Sequence, residues 1–180
     1  MARILSKRHG FRCTVVFSTN EQGQISPDTQ NHQPGIEALD AADLCILQLR
    51  FRHWPDAQMR HFVNYVHSGK PLVALRTSTH AFSYPVDSDS MFARYGWNRK
   101  DWPGGFGKQL LGETWVSHWG DHGSQATRGV VETVKQSHPI LRGVEKVFGT
   151  TDLYEAHPPG SATVLMRGAV LQGMSPDSPM

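Results

Sequence analysis

The chain has little cysteine, little excess charge of either sign and no long apolar run. Its two cysteines, Cys13 and Cys45, are too few for a disulfide framework. Each lies in an apolar, strand-like stretch and reads as a buried thiol. Lys and Arg total 18 against 16 Asp and Glu, a net charge of +2, which gives no strong field for nucleic acid or an anionic bilayer. No stretch nears the roughly 18 apolar residues of a membrane helix, and Met1–His9 lacks the apolar centre of a signal peptide. The expectation is a cytoplasmic protein with no nucleic-acid or membrane partner, unless an export signal lies upstream of Met1. The chain also lacks repeats and low-complexity segments.

What is present suits one domain over residues 1–180, large enough for a real core, with 174–180 as a disordered tail. Ala2–His9 reads as a helix stopped by Gly10, and Arg12–Phe17 as a β-branched strand. Ser18–Pro34 is a polar loop, Gly35–Ala42 adds a turn of helix, and Leu44–Leu49 is a buried strand. Trp54-Pro55-Asp56 starts the clearest helix, whose apolar stripe is Met59, Phe62, Val63 and Val66. Gly69 stops it. Leu72–Leu75 then predicts a strand buried on both faces of a parallel sheet, completing a right-handed βαβ unit. Later strands are expected at Trp115–Trp119, Thr127–Val134, Phe148–Tyr154 and Thr163–Met166, with a turn and short helix at Ser137–Ile140.

Ligands of open α/β sheets bind beyond the carboxyl ends of the strands, which places Arg76, Thr77, Ser78, Thr79 and His80 at a rim. A nucleophile elbow would need Ser or Cys at the turn. Arg76 stands there; Ser78 or Thr79 could attack with His80 as base, but adjacent residues seldom point at one another, and the hydroxyls read rather as helix caps. A second cluster, Ser117–Gly123, carries His118 and His122 four residues apart, the spacing of helical zinc ligands, but Gly120 and Gly123 argue for a turn instead. A third, Thr150–Glu155, brings Asp152 and Tyr154, which can orient a histidine or bind a polyhydroxylated ligand. Aromatics from Phe82 to Trp119, spaced by Gly and Pro, read as core or as a lid able to stack on sugar rings.

The run Gly-Lys-Pro-Leu-Val-Ala-Leu-Arg-Thr-Ser-Thr-His-Ala-Phe at 69–82, Gly-Asp-His-Gly at 120–123, His138-Pro139-Ile140 and Thr151-Asp152-Leu153-Tyr154 occur in an order that resembles the ThuA-like, or trehalose-utilisation, proteins. The resemblance spans about Met1–Val170. It implies a flavodoxin-like three-layer α/β sandwich with a mainly parallel sheet, related to class I glutamine amidotransferases, and a link to carbohydrate metabolism. Two departures stand out. Arg76 replaces the catalytic Cys of the amidotransferase relatives, so glutaminase activity is not expected. A first strand that would precede the helix Ala2–His9 in the chain and lie in the sheet between Arg12–Phe17 and Leu44–Leu49, and more sheet after Val170, are missing, as if the domain were truncated at both ends and therefore only marginally stable.

The function expected on this basis is a sugar-directed hydrolase or isomerase, with a small sugar-like ligand and a homo-oligomer left open. His80, His122 and Asp152 would be catalytic, and Arg76, Thr77, Ser78, His118 and Tyr154 would bind substrate. No metal ligands are assigned and the sequence points to no cofactor. The rivals are a non-catalytic ligand-binding or interaction module and a metal-dependent hydrolase.

Overall fold

The first helix, α1 (Ala2–His9), ends as its sequence requires. Gly10 adopts a φ of 73°, and the Phe11 N–H donates to the Leu5 carbonyl at 3.3 Å, closing the helix through a left-handed glycine. A computed structural model describes residues 1–180, the side chain of Val134 excepted. α1 buries none of its residues. Beyond it, Arg12–Phe17 is not the expected strand: the segment joins no sheet, and Val15 and Phe17 are exposed. β-branched residues stabilise a strand through cross-strand contacts, and no neighbouring strand supplies them here. Cys13, expected to be buried, is exposed for the same reason, whereas Cys45 is buried.

Two compact units follow the chain order, Met1–Leu111 and Gly112–Met180. In the first, β1 (Cys45–Leu47), α2 (Asp56–His67) and β2 (Leu72–Ala74) make a strand–helix–strand unit whose strands pair in parallel, Cys45 opposite Leu72. Pro55 precedes α2 and Asp56 opens its first turn, where a carboxylate meets the positive end of the helix dipole. Met59, Phe62 and Tyr65 are its fully buried residues, with Val63 and Val66 packed beside them. Tyr65 escaped the apolar-stripe reading because its ring is buried while its hydroxyl donates to the Pro71 carbonyl at 2.6 Å, which satisfies the polar tip. Ser68 caps the helix and Gly69, at φ 74°, redirects the chain into β2.

The irregular stretch after β2 contributes aromatic rings to the core. Trp54, Phe62, Phe82 and Phe106 pack edge to face or tilted, with centroid separations of 5.2 Å for Trp54–Phe82, 5.1 Å for Phe62–Phe82 and 5.2 Å for Phe62–Phe106. Tyr84, Phe92 and Tyr95 are buried around them. These rings therefore serve neither as a lid nor as a sugar platform. Gly105, at φ 51°, lets the chain pass against the backbone of Tyr95 and Gly96, where a Cβ would collide with both carbonyls.

The second unit is antiparallel. β4 (Thr127–Val131) lies between β5 (Val147–Gly149) and β7 (Met166–Val170), while β3 (His118–Trp119) pairs separately with β6 (Leu153–Tyr154). Gly129 faces Gly168 across β4 and β7. The missing side chain of Gly129 makes room for Met166 and Val147, and that of Gly168 for Leu153. The strand expected at Thr163–Met166 begins only at Met166, and the one expected at Trp115–Trp119 contracts to two residues.

The flavodoxin-like three-layer sandwich is thus overturned. The chain is a small mixed fold with two α-helices, short strands and a single parallel pair among the described residues. A parallel strand needs a long crossover, usually a helix, and β3 to β7 are joined only by turns and 3-10 segments. Nor is β2 covered on both faces: Leu72 packs on the core but Val73 is exposed. No helix among the described residues is long and apolar enough to cross a membrane.

Candidate functional site

The residues singled out in the sequence fall into two groups, one in each unit. Arg76, Thr77, Ser78 and His80 lie in Met1–Leu111; His118, His122, Asp152 and Tyr154 lie in Gly112–Met180.

In the first unit the chain after β2 turns into a 3-10 segment, Arg76–His80. Ser78 is fully buried, and its Oγ accepts the Leu49 N–H at 3.1 Å, so the hydroxyl ties the end of one parallel strand to the other instead of facing a substrate. His80 is also buried. Its Nδ1 shares a 3.2 Å hydrogen bond with Thr79 Oγ1, and its ring lies 5.1 Å from that of Phe51. Thr77 is half-buried and Arg76 exposed. Two non-glycine residues take positive φ, Arg76 at 42° and Phe51 at 53°, one beyond each parallel strand. Such backbone costs of order 1–3 kcal/mol for a bulky side chain. Beyond the turns the pairing resumes, with Arg52 N–H donating to the Ala81 carbonyl at 2.6 Å. Phe51 was not expected in this cluster, and no residue type in Gln48–Arg52 signals its left-handed backbone.

Cys45 does not supply the missing nucleophile. It lies within β1, where burial pushes its thiol up to about 11, the opposite of the activation a nucleophilic thiolate needs.

In the second unit the paired strands β3 and β6 bring together residues 34 or more apart in sequence order. His118 sits directly opposite Tyr154, with ring centroids 5.1 Å apart and edge-on, and Trp115 lies 5.5 Å from His118. Asp152 precedes β6 and is only 4% exposed. Its Oδ2 lies 2.6 Å from His118 Nδ1, and its Oδ1 accepts the Thr151 hydroxyl at 2.9 Å. Thr151 is held in turn, its carbonyl accepting from Thr127 Oγ1 of β4 at 2.8 Å. The His118 side chain is 43% exposed.

His122 comes in on the turn between β3 and β4. Gly120 at φ 90° and Gly123 at φ 84° bracket it, and the Asp121 N–H donates to Gln125 Oε1 at 2.8 Å. A Cβ on Gly120 would press on Val170. The His122 side chain is 82% exposed, and its Nδ1 stands 3.8 Å from Asp152 Oδ1, within electrostatic reach but too long for a hydrogen bond.

The arrangement orients one imidazole. A buried carboxylate on Nδ1 fixes the tautomer and leaves Nε2 to accept or donate a proton. Among the described residues no cluster of three His, Cys, Asp or Glu side chains is placed to hold a metal ion. The chain matches no protein-family model, no curated protein and no solved structure. Trp115, beside His118, and Thr151, bonded to Asp152, were not among the expected site residues. The adjacency of Thr151 to Asp152 was the available signal for the second of them.

Proposed function

We propose that the Gly112–Met180 unit carries a proton-transfer site for a polyhydroxylated, sugar-like ligand, acting as an isomerase or hydrolase. His118 is its acid–base group and Asp152 its positioning carboxylate. The observation that carries this reading is the 2.6 Å contact between His118 Nδ1 and a carboxylate that is 4% exposed. A carboxylate held this way stabilises the imidazolium formed when Nε2 takes a proton. In an isomerisation, Nε2 removes the proton from the hydroxyl-bearing carbon beside a sugar carbonyl and returns it to the former carbonyl carbon, while the proton of that hydroxyl passes to the former carbonyl oxygen, so that the carbonyl moves by one carbon with no net gain or loss of protons. Tyr154 and Trp115 offer aromatic surface against which a sugar ring can lie, and His122 adds a second imidazole near the same carboxylate. The carbohydrate class rests on the resemblance of the motifs at 69–82, 120–123 and 151–154 to ThuA-like proteins.

A panel of sugars and keto-sugars, assayed for heat of binding and for turnover with the full chain, tests the proposal. Turnover that disappears in His118→Gln and falls in Asp152→Asn supports it. Absence of both binding and turnover across the panel removes it. A specific observation favours a second reading, a binding module without catalysis: at the elbow of the first unit the Ser78 hydroxyl is held by the Leu49 amide. Binding without turnover, altered only in affinity by His118→Gln, would establish that reading instead.

A further inference from the structure

An open cleft of about 340 Å³ lies where β1 ends, walled by Val16, Phe17, Ile25 and Leu49. Its volume falls within the range of small-molecule sites, roughly 300–1,000 Å³, and its position beyond the carboxyl end of a parallel strand is where such folds take ligands. The polar groups that line it, Arg52 and Gln33, are unusually well fixed.

Arg52 Nη1 donates to two backbone carbonyls, Pro27 at 3.0 Å and Thr29 at 2.6 Å. Its backbone is fastened to Ala81 and Ser83. The guanidinium therefore cannot swing away, although half of its fork is unused. Nε is closed off from solvent without a hydrogen-bond partner, whereas Nη2, also without a protein partner, is not among the closed-off atoms. Gln33 is only 5% exposed. Its backbone N–H donates to Gln58 Oε1 at 3.0 Å and its Oε1 accepts from Ser18 Oγ at 2.7 Å. Its Nε2 has no protein partner and, like Arg52 Nη2, is not closed off. Two immobilised donors thus line one cleft with hydrogens to give and no acceptor to receive them.

We propose that this cleft binds a small monocarboxylate with an apolar body, held by Arg52 Nη2 and Gln33 Nε2. The donors call for an acceptor-only group, and a carboxylate presents two such oxygens. A single guanidinium matches one negative charge. The charge of Asp28, which already acts on Arg52, weighs against a dianion such as phosphate. The apolar walls suit a short alkyl or aryl body. This site lies in the Met1–Leu111 unit and does not depend on the proton-transfer reading of His118.

The test is calorimetric titration of the full chain with phenylacetate and with its neutral isostere phenylacetamide, followed in parallel through the Gln33 side-chain amide resonances. Phenylacetate is expected to bind at least about tenfold more tightly, the factor that one charge-assisted hydrogen bond supplies, and to shift those resonances. Arg52→Gln should abolish the preference for the acid. Because that change also frees the loop at Pro27–Thr29, Ile25→Trp provides an independent arm. Ile25 is an exposed wall residue, so a larger side chain should block binding while leaving the circular dichroism and melting temperature unchanged. Equal affinity for acid and amide, no binding of either, or phenylacetate binding that survives Ile25→Trp would overturn the proposal.

Discussion

His118 and Asp152 are joined across β3 and the residue before β6 by a contact of 2.6 Å between Nδ1 and Oδ2. One partner is exposed to solvent and the other is not. Exchanging Asp152 for Asn keeps the shape but replaces a charge with an amide that can present the wrong group to Nδ1. If the pair transfers protons, kcat should fall by about 10²- to 10⁴-fold while KM changes little, and the pH profile should shift. Stability separates this role from a structural one. Asp152→Ala, which leaves the Thr151 hydroxyl and His118 Nδ1 without their acceptor, should cost about 1–3 kcal/mol in denaturant unfolding, and Asp152→Asn less.

Phe62 touches Trp54, Phe82 and Phe106 at once and is wholly buried. Phe62→Ala removes the centre of that cluster, and a loss of about 3–5 kcal/mol is expected. Typical domains have only about 5–15 kcal/mol in hand, so the variant should melt early or fail to fold. Retention of the wild-type melting temperature would contradict the packing described.

Gly105 combines a positive φ with backbone on the side where a Cβ would project. Gly105→Ala should destabilise by more than the roughly 1 kcal/mol of an ordinary left-handed glycine. Gly123, also at positive φ but with open space around it, should tolerate the same change better, and a comparison of the two melting curves checks the difference.

The two thiols should behave oppositely. Cys13 is exposed and Cys45 buried, so an aromatic disulfide reagent at pH 8 should label one thiol per folded chain and two after denaturation. Burial raises the Cys45 pKa from 9.0 to about 11, which favours the neutral thiol in the folded state. The corresponding stability is complete below pH 9 and is lost as pH rises through 11, by roughly 2–3 kcal/mol at 1.36 kcal/mol per unit. Tyr84, Tyr65 and Tyr95 are raised in the same sense, chiefly by burial, and add to the alkaline loss. Cys45→Ala should flatten the Cys45 part of that pH dependence.

Val15 and Val73 are exposed apolar residues, the first in a segment that joins no sheet and the second on β2. A charge at either site should discourage intermolecular strand pairing. Val15→Lys and Val73→Lys are expected to raise soluble yield with little change in melting temperature, as read by light scattering and calorimetry.

Local chemistry made much of this protein legible. Gly10 and Gly69 mark helix ends because only glycine takes positive φ without strain. Pro55-Asp56 marks a start, and Met59, Phe62, Val63 and Val66 mark one helix face, because these signals act within a turn or two of their own position. The βαβ unit follows from them. Of the candidate site only the residue types were legible: His118 and Tyr154 stand on the short strands β3 and β6, Asp152 just before β6, and His122 on the glycine-bracketed turn after β3.

What the tertiary structure alone decided is partnership. Arg12–Phe17 and Cys45–Leu47 have similar strand-forming composition, but only the second found a neighbour, since a strand is stabilised by what lies beside it. The parallel sandwich failed because β5 and β7 pair antiparallel with β4, and β6 with β3, with no α-helical crossover between them among the described residues. His118 emerged as the imidazole held by Asp152, and Ser78 as a buried acceptor for Leu49, through contacts between residues 34 and 29 positions apart. No window along the chain contains both partners of such a contact; folding alone brings them together.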